Sequence, residues 1–498
     1  MSSRQGLPNE LLEFIFQHLR LPPLTLGSEL PDRTFAEDRA ALRSLCCTSR
    51  LFLEVARPLL YEKVVLYIDE ENLTADGELL AGSKSLVLLL RTLTQRPELR
   101  AYVKYVACPM LLQTSPWWHE DDRAELVSAS WKYNKADFTR LSGDDQIVFG
   151  LAGLDISHAA PPSSEGEVSQ IAEQLLAVLV CLASSLETLL LQTVERQQYK
   201  ILDRTITRAL KHERLRHRTL PSLRTLQFQL PPRSVLQAAE FFGRAECATI
   251  YECPVLLTLP SVRRIETRHD ELSYADDFAW AGRIEELDLV SQTSADTYYR
   301  LCSRAGSLRK LSIDMFNFVA LDMAGGGDEE EVADLNAAIA RLARTLRELR
   351  VFTRYRDDYD GYLPASARLT CLPRLERLEV LAVDRKALFR SEAELGERDL
   401  AERLPPNLRV LDLHEDWRRR DELYSAAFVG LAARRRERLP RLSDVALWPS
   451  NHYREHARLQ LGDDTLADIK RALGGAGVAF RWLRRWPPQE FRRDGAIA

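Results

Sequence analysis

The chain has no hydrophobic run long enough to cross a bilayer. Its longest, Leu175–Ala183, falls far short of the ~20 residues a span requires. The eight cysteines are scattered without paired metal-ligand spacing, so reduced, buried thiols are expected rather than a zinc or disulfide framework. Positive charge is not in excess. A formal net charge of -5 and a pI near 6.1 argue against general nucleic-acid binding. There is no nucleophile elbow, no phosphate loop, no His-Glu-x-x-His and no Rossmann glycine fingerprint. Gly325-Gly326-Gly327 lacks the Lys-Ser/Thr and the preceding strand that a phosphate cradle needs. His119, beside Glu120, Asp121 and Asp122, reads as a solvated loop rather than a metal site. No catalytic residue, metal or cofactor is therefore expected. Met1–Gln5 leads directly into a capped helix rather than a targeting segment, so a cytoplasmic or nuclear protein is expected.

What is present begins at the N-terminus. At 498 residues, with 45% hydrophobic and 28% charged residues, the chain exceeds one ordinary core. Pro8 suits the first turn of a helix, where its missing N–H costs nothing. Leu11, Ile15 and Leu19 follow at helical spacing, with Leu12 and Phe16 on the adjoining rows, and Pro22-Pro23 ends the segment. Thr34-Phe35-Ala36-Glu37 fits a capping box and starts a second helix that buries Ala41, Leu42, Leu45 and Cys46. Thr48 or Ser49 caps a third, carrying Phe52, Val55 and Ala56 and ending at Pro58. Three short helices in about sixty residues make a thin core that leaves apolar surface over. Each large apolar side chain so exposed leaves roughly 1.5–3 kcal/mol for docking a partner.

This segment resembles an F-box. Leu7, Pro8, Glu10, Leu11, Ile15 and Phe16 match its opening, and Leu42, Ser44, Leu45, Ser49, Arg50 and Phe52 its second half, with an unusually long spacer at 20–38. The resemblance implies a substrate receptor of an SCF-type ubiquitin ligase. Its F-box would dock a Skp-family adaptor through Leu7, Pro8, Glu10, Leu11, Leu12, Ile15, Phe16, Leu19, Leu42, Leu45, Arg50 and Phe52, and through that adaptor a cullin scaffold. Catalysis would belong to other subunits, so the chain itself is not expected to be an enzyme.

After residue 180 a pattern recurs: apolar, two variable residues, apolar, one variable, apolar. Copies are Leu186-x-x-Leu189-x-Leu191, Leu223-x-x-Leu226-x-Phe228, more weakly Val262-x-x-Ile265-x-Thr267, then Ile284-x-x-Leu287-x-Leu289, Leu308-x-x-Leu311-x-Ile313, Leu346-x-x-Leu349-x-Val351, Leu378-x-x-Leu381-x-Val383, Leu408-x-x-Leu411-x-Leu413 and Leu442-x-x-Val445-x-Leu447. Helices are expected between them, for instance over Val168–Ala183, Ser234–Gly243, Glu331–Arg344 and Asp421–Arg435. Pro221, Pro260, Pro373, Pro405 and Pro440 each precede a copy and steer the chain into extended geometry. The array resembles irregular leucine-rich repeats, which implies an α/β solenoid with a curved parallel sheet. An ordinary α/β domain with similar strands is the other reading. The Asn ladder of regular repeats is missing, as Gln192, Val290, Asp314 and His414 illustrate, so backbone groups there must be satisfied by other means.

The expected organisation is an F-box domain over 1–61, a linking or early-repeat region over 62–165 holding a partly mobile insertion at about 114–166, and the repeats with their cap over 166–498. In the linking region Val64–Ile68 reads as a buried strand, Leu86–Leu93 as a helix and Val103–Val106 as the first strand of the array; Phe480–Trp482 reads as its last. Aromatic and charged residues follow three strands: Tyr355, Tyr359 and Tyr362; His414 and Trp417; and Trp448. They are the candidate contacts to a protein substrate, with end-covering aromatics as the other reading. A repeat scaffold that binds proteins without ligase function remains the alternative. Neither nucleic acid nor membrane is an expected partner.

Overall fold

A computed structural model describes residues 33–65, 80–108, 141–154, 165–192, 199–229, 253–270, 278–291, 295–314, 335–352, 369–389, 400–415, 421–449 and 461–482. These fall into two compact units, one ending at Val262 and one beginning at Arg263. That division coincides with neither boundary expected from sequence, at 61 or at 165.

The first unit opens with helices α1 (Arg33–Thr48) and α2 (Arg50–Glu62). Ser49 separates them. Its backbone is extended and its hydroxyl accepts the Phe52 N–H at 3.1 Å, the cap expected from sequence. Pro58 does not end α2, which runs on to Glu62. The carbonyl that Pro58 leaves without a helical donor belongs to Glu54, an exposed residue that water can reach. Four strands follow, β1 (Lys63–Val65), β2 (Tyr105–Cys108), β3 (Thr188–Gln192) and β4 (Thr225–Gln229), paired in parallel in chain order. The repeat pattern thus starts at Lys63, a strand earlier than Val103–Val106. Helices α3 (Leu80–Gln95), α4 (Gly143–Leu151), α5 (Glu165–Leu182), α6 (Lys200–Lys211) and α7 (Pro254–Thr258) complete this unit.

Helix α4 lies inside the stretch read as an insertion. The Ser142 hydroxyl caps it by accepting the Asp145 N–H at 3.2 Å, and Val148 and Phe149 are buried. Arg100 fixes it from another element. Its guanidinium donates to both Asp145 carboxylate oxygens at 2.8 and 2.7 Å and to the Leu93 carbonyl at 2.8 Å.

The second unit contains eight parallel strands in chain order: β5 (Arg264–Asp270), β6 (Glu286–Ser291), β7 (Lys310–Asp314), β8 (Glu348–Phe352), β9 (Val380–Asp384), β10 (Val410–Glu415), β11 (Asp444–Pro449) and β12 (Ala479–Trp482). Between them run α8 (Ala295–Arg304), α9 (Leu335–Ala340), α10 (Arg385–Leu388), α11 (Leu400–Arg403), α12 (Asp421–Arg438) and α13 (Asp463–Gly475). Helix α9 ends at Ala340, short of the expected 344, and residues 331–334 lie outside the described residues. Residues 234–243, also expected to be helical, lie outside the described residues.

In both units the apolar positions of the pattern form the core. Leu186, Leu189, Leu191, Leu308, Leu311, Ile313, Leu408, Leu411 and Leu413 are all fully buried. Neighbouring strands align them: Leu287, Leu311 and Leu349 share one row.

The missing Asn ladder is replaced twice over. At most strand entries one carbonyl accepts two N–H groups from the next repeat. The Arg309 carbonyl takes those of Arg347 and Glu348, the Arg347 carbonyl those of Glu379 and Val380, and the Glu379 carbonyl those of Arg409 and Val410. On the helical side, a side chain of one repeat accepts the N–H groups that open the next helical segment. Glu173 Oε1 accepts from Ile201 and Leu202 at 2.6 and 3.0 Å, Asp203 from Val255 at 2.8 Å, and Asn336 from Thr370 and Cys371 at 2.6 and 3.1 Å. Both devices satisfy backbone donors that burial would otherwise leave without partners.

Candidate functional site

Successive strand residues point to opposite faces of a sheet. If the leucine positions face the repeat helices, the residues between them form an opposite face. In the first unit that face carries Val65, Ala107 and Leu190 in one register row, with Tyr105 two residues before Ala107. It is covered: these four residues form one buried cluster with Phe35 and Leu42 of α1 and Ala56 of α2. Leu45, Cys46, Phe52, Val55, Leu59 and Leu60 pack against the cluster, partly buried.

This divides the residues expected to dock an adaptor. Leu42 is fully buried within that cluster, so a partner would reach it only if the cluster opened. Leu45 and Phe52 are half-buried against the same cluster. Arg50 is exposed and lies 3.4 Å from Glu54. Leu51 is among the exposed large hydrophobic residues, at 37%. Leu7, Pro8, Glu10, Leu11, Leu12, Ile15, Phe16 and Leu19 lie outside the described residues.

In the second unit the equivalent face is polar. Its first row reads Arg264, Glu286, Lys310, Glu348, Val380, Val410 and Asp444, and its second Glu266, Asp288, Ser312, Arg350, Ala382, Asp412, Ala446 and Arg481. Ion pairs knit the two rows together. Arg264 contacts Glu266 at 2.5 Å and Glu286 at 3.1 Å, and Glu348 receives Lys310 at 3.1 Å and Arg350 at 2.5 Å. Burial works against the charge of Arg264, but Glu266, Glu286 and Asp288 together hold it protonated more firmly than usual.

At the β8–β12 end, large charged and small residues alternate: Arg350, Ala382, Asp412, Ala446, Arg481. Burial pushes the Asp412 carboxyl above its ordinary range, opposed by Arg350 and Arg481. Asp412 Oδ1 and Arg481 Nε are buried without a hydrogen-bond partner among the described residues. Buried polar atoms left this way are costly. Two residues along the strands from Asp412 and Ala446, His414 and Trp448 stack with centroids 6.1 Å apart and planes 12° from parallel. Sequence reasoning named both as substrate contacts. The structure brings them together but leaves each only 6% exposed. Tyr355, Tyr359, Tyr362 and Trp417 lie outside the described residues.

The sequence reading passed over Arg350, Asp412 and Arg481. Arg350 and Asp412 occupy the single variable position between the last two apolar residues of their copies, and Arg481 lies between Phe480 and Trp482; the spacing points them away from the core but does not show that they meet. Among the described residues no cluster of three or more His, Cys, Asp or Glu suits a metal, and no helix is long and apolar enough to cross a membrane. The arrangement can hold a polar partner through charge-assisted hydrogen bonds. Compared with models of known protein families and with curated proteins, the chain gives no match.

Proposed function

We propose that the protein is a non-catalytic, substrate-recognition subunit of an SCF-type ubiquitin ligase. Its N-terminal helical segment docks a Skp-family adaptor, and through it a cullin scaffold, while the repeats hold a protein substrate. The observation that carries this reading is the join between the two parts. Helices α1 and α2 share one buried cluster with the first three strands, so whatever docks on their outer side is held firmly to those strands. That outer side offers Cys47, Arg50, Leu51 and Glu54, all exposed. The charged rows of β5–β12 and the incompletely satisfied Asp412 and Arg481 suit protein recognition better than chemistry.

One observation favours the second reading, a repeat scaffold without ligase function. Leu42 completes the protein's own core, leaving less apolar surface on the helices for an adaptor.

Co-purification with a Skp-family adaptor tests the proposal. The wild type should retain the adaptor, and Leu7→Ala/Pro8→Ala/Ile15→Ala should lose it while melting at the same temperature. A wild type that retains none removes the ligase reading.

A further inference from the structure

The edge where strands β7–β11 begin is strongly basic, although the chain as a whole is acidic. Residues 304–309, 341–347, 371–379, 404–409 and 439–443, which enter these strands, carry nine arginines against two glutamates. Arg309 and Arg409 make only long ion pairs, at 3.6 Å to Glu285 and 3.5 Å to Glu379. Arg304, Arg344, Arg347, Arg374, Arg377 and Arg441 are exposed, and among the described residues none has an acidic partner for its side chain. Offsetting the carbonyl end of a helix accounts for Arg304, the last residue of α8. It does not account for Arg347, Arg377 and Arg441, which come after the helical segments, beside the apolar residue that anchors each strand.

Register sets the spacing. Arg309, Arg347, Glu379 and Arg409 each immediately precede a strand, and in-register parallel strands lie ~4.8 Å apart. The result is a row of guanidinium groups at the mouth of the sheet, each presenting a planar donor fork suited to oxyanions. Glu376 and Glu379 interrupt it, so a continuous phosphate backbone would meet repulsion within the row. These connections contain no aromatic residue on which a base could stack. Separate carboxylates on a flexible chain can pass over the interruptions.

We infer that this edge docks an acidic segment, rich in Asp and Glu, of another protein. The inference rests on reading the protein as a receptor for a protein substrate, and it names the class of segment recognised.

The test uses the full chain and fluorescence anisotropy with two probes, labelled poly-glutamate and a labelled thymidine oligonucleotide. Poly-glutamate should bind at low salt and weaken as salt rises. Arg344→Glu/Arg347→Glu/Arg377→Glu should weaken it further by about tenfold, the product of three exposed pairs. A control with the same charge change, Arg208→Glu/Lys211→Glu/Arg214→Glu in the first unit, should bind poly-glutamate like the wild type. Absence of binding, equal weakening by both variants, or tighter binding of the oligonucleotide overturns the inference. Adaptor co-purification is read separately. Failure of poly-glutamate with the adaptor retained removes this inference alone, and the reverse pattern removes the ligase reading alone.

Discussion

Leu189-Leu190-Leu191 in β3 and Leu311-Ser312-Ile313 in β7 occupy the same place in the repeat and differ at the middle residue. In β1, β2 and β3 of the first unit the middle position is apolar, as Val65, Ala107 and Leu190, and helices α1 and α2 lie over it; in β4 it is Gln227, buried and accepting from the Tyr105 hydroxyl. In the second it is charged or small, as in Glu266, Arg350, Asp412 and Arg481, and ion pairs knit it. One backbone device serves two purposes, and the middle residue selects between them. An apolar residue there makes the sheet a platform for the protein's own helices. Charged ones join ion pairs that reach neighbouring strands through Arg264 and Glu348.

Breaking the few buried charges of the first unit should have the largest effect. The Asp145 side chain is 2% exposed and that of Arg100 is 16% exposed, so losing either partner strands a buried charge. Arg100→Ala or Asp145→Ala should destabilise by ~3–5 kcal/mol, read from chemical denaturation. Cutting into the covered face comes next. Leu42→Ala removes a fully buried side chain beneath which Val65 and Leu190 pack, and should cost ~2–4 kcal/mol.

A smaller effect tests the helical-side ladder. Burial holds the Glu173 carboxyl above its ordinary value, against the Leu202 and Ile201 N–H groups that favour its charge. The folded state therefore keeps this proton to higher pH than the unfolded chain. The stability that protonation brings is complete below the unfolded value of about 4.3 and is lost as pH rises through the folded one. Glu173→Gln keeps an acceptor oxygen and removes the titration, so its advantage over wild type should grow from about pH 4 upward. Glu173→Ala leaves two N–H groups without their acceptor and should cost ~1–3 kcal/mol. Smallest of all, Arg471→Gln should cost at most ~1 kcal/mol, because Arg471 and its partner Asp468 are both exposed.

The leucine positions were legible because their burial is repeated in every copy and needs no knowledge of what lies across the sheet. Leu308, Leu311 and Ile313 are buried as their spacing requires. Helices α5 and α12 fall close to the expected ranges for the same reason. Helix α4 was not legible, since what holds it is Arg100, a residue 45 positions away. Nor was the seat of α1. An amphipathic helix announces an apolar stripe but not which surface covers it, so Leu42 reads equally as core or as docking contact. The clue lay in the strands: an unbroken Leu189-Leu190-Leu191 demands cover on both faces, while Leu311-Ser312-Ile313 demands it on one. At the candidate site, His414 and Trp448 were legible as aromatics beyond a core leucine. Asp412 and Arg481 were not, because their significance depends on neighbours two strands away.

Site-resolved thiol labelling tests the contrast between the two faces most directly. In a Cys47→Ser background, Leu190→Cys and Glu286→Cys are treated with a maleimide under native conditions, and each site is read by mass spectrometry. Leu190 is 2% exposed beneath α1 and α2, while the Glu286 side chain is 41% exposed. The account predicts rapid labelling at position 286 and none at position 190 until denaturant is added. Equal labelling at both positions would contradict it.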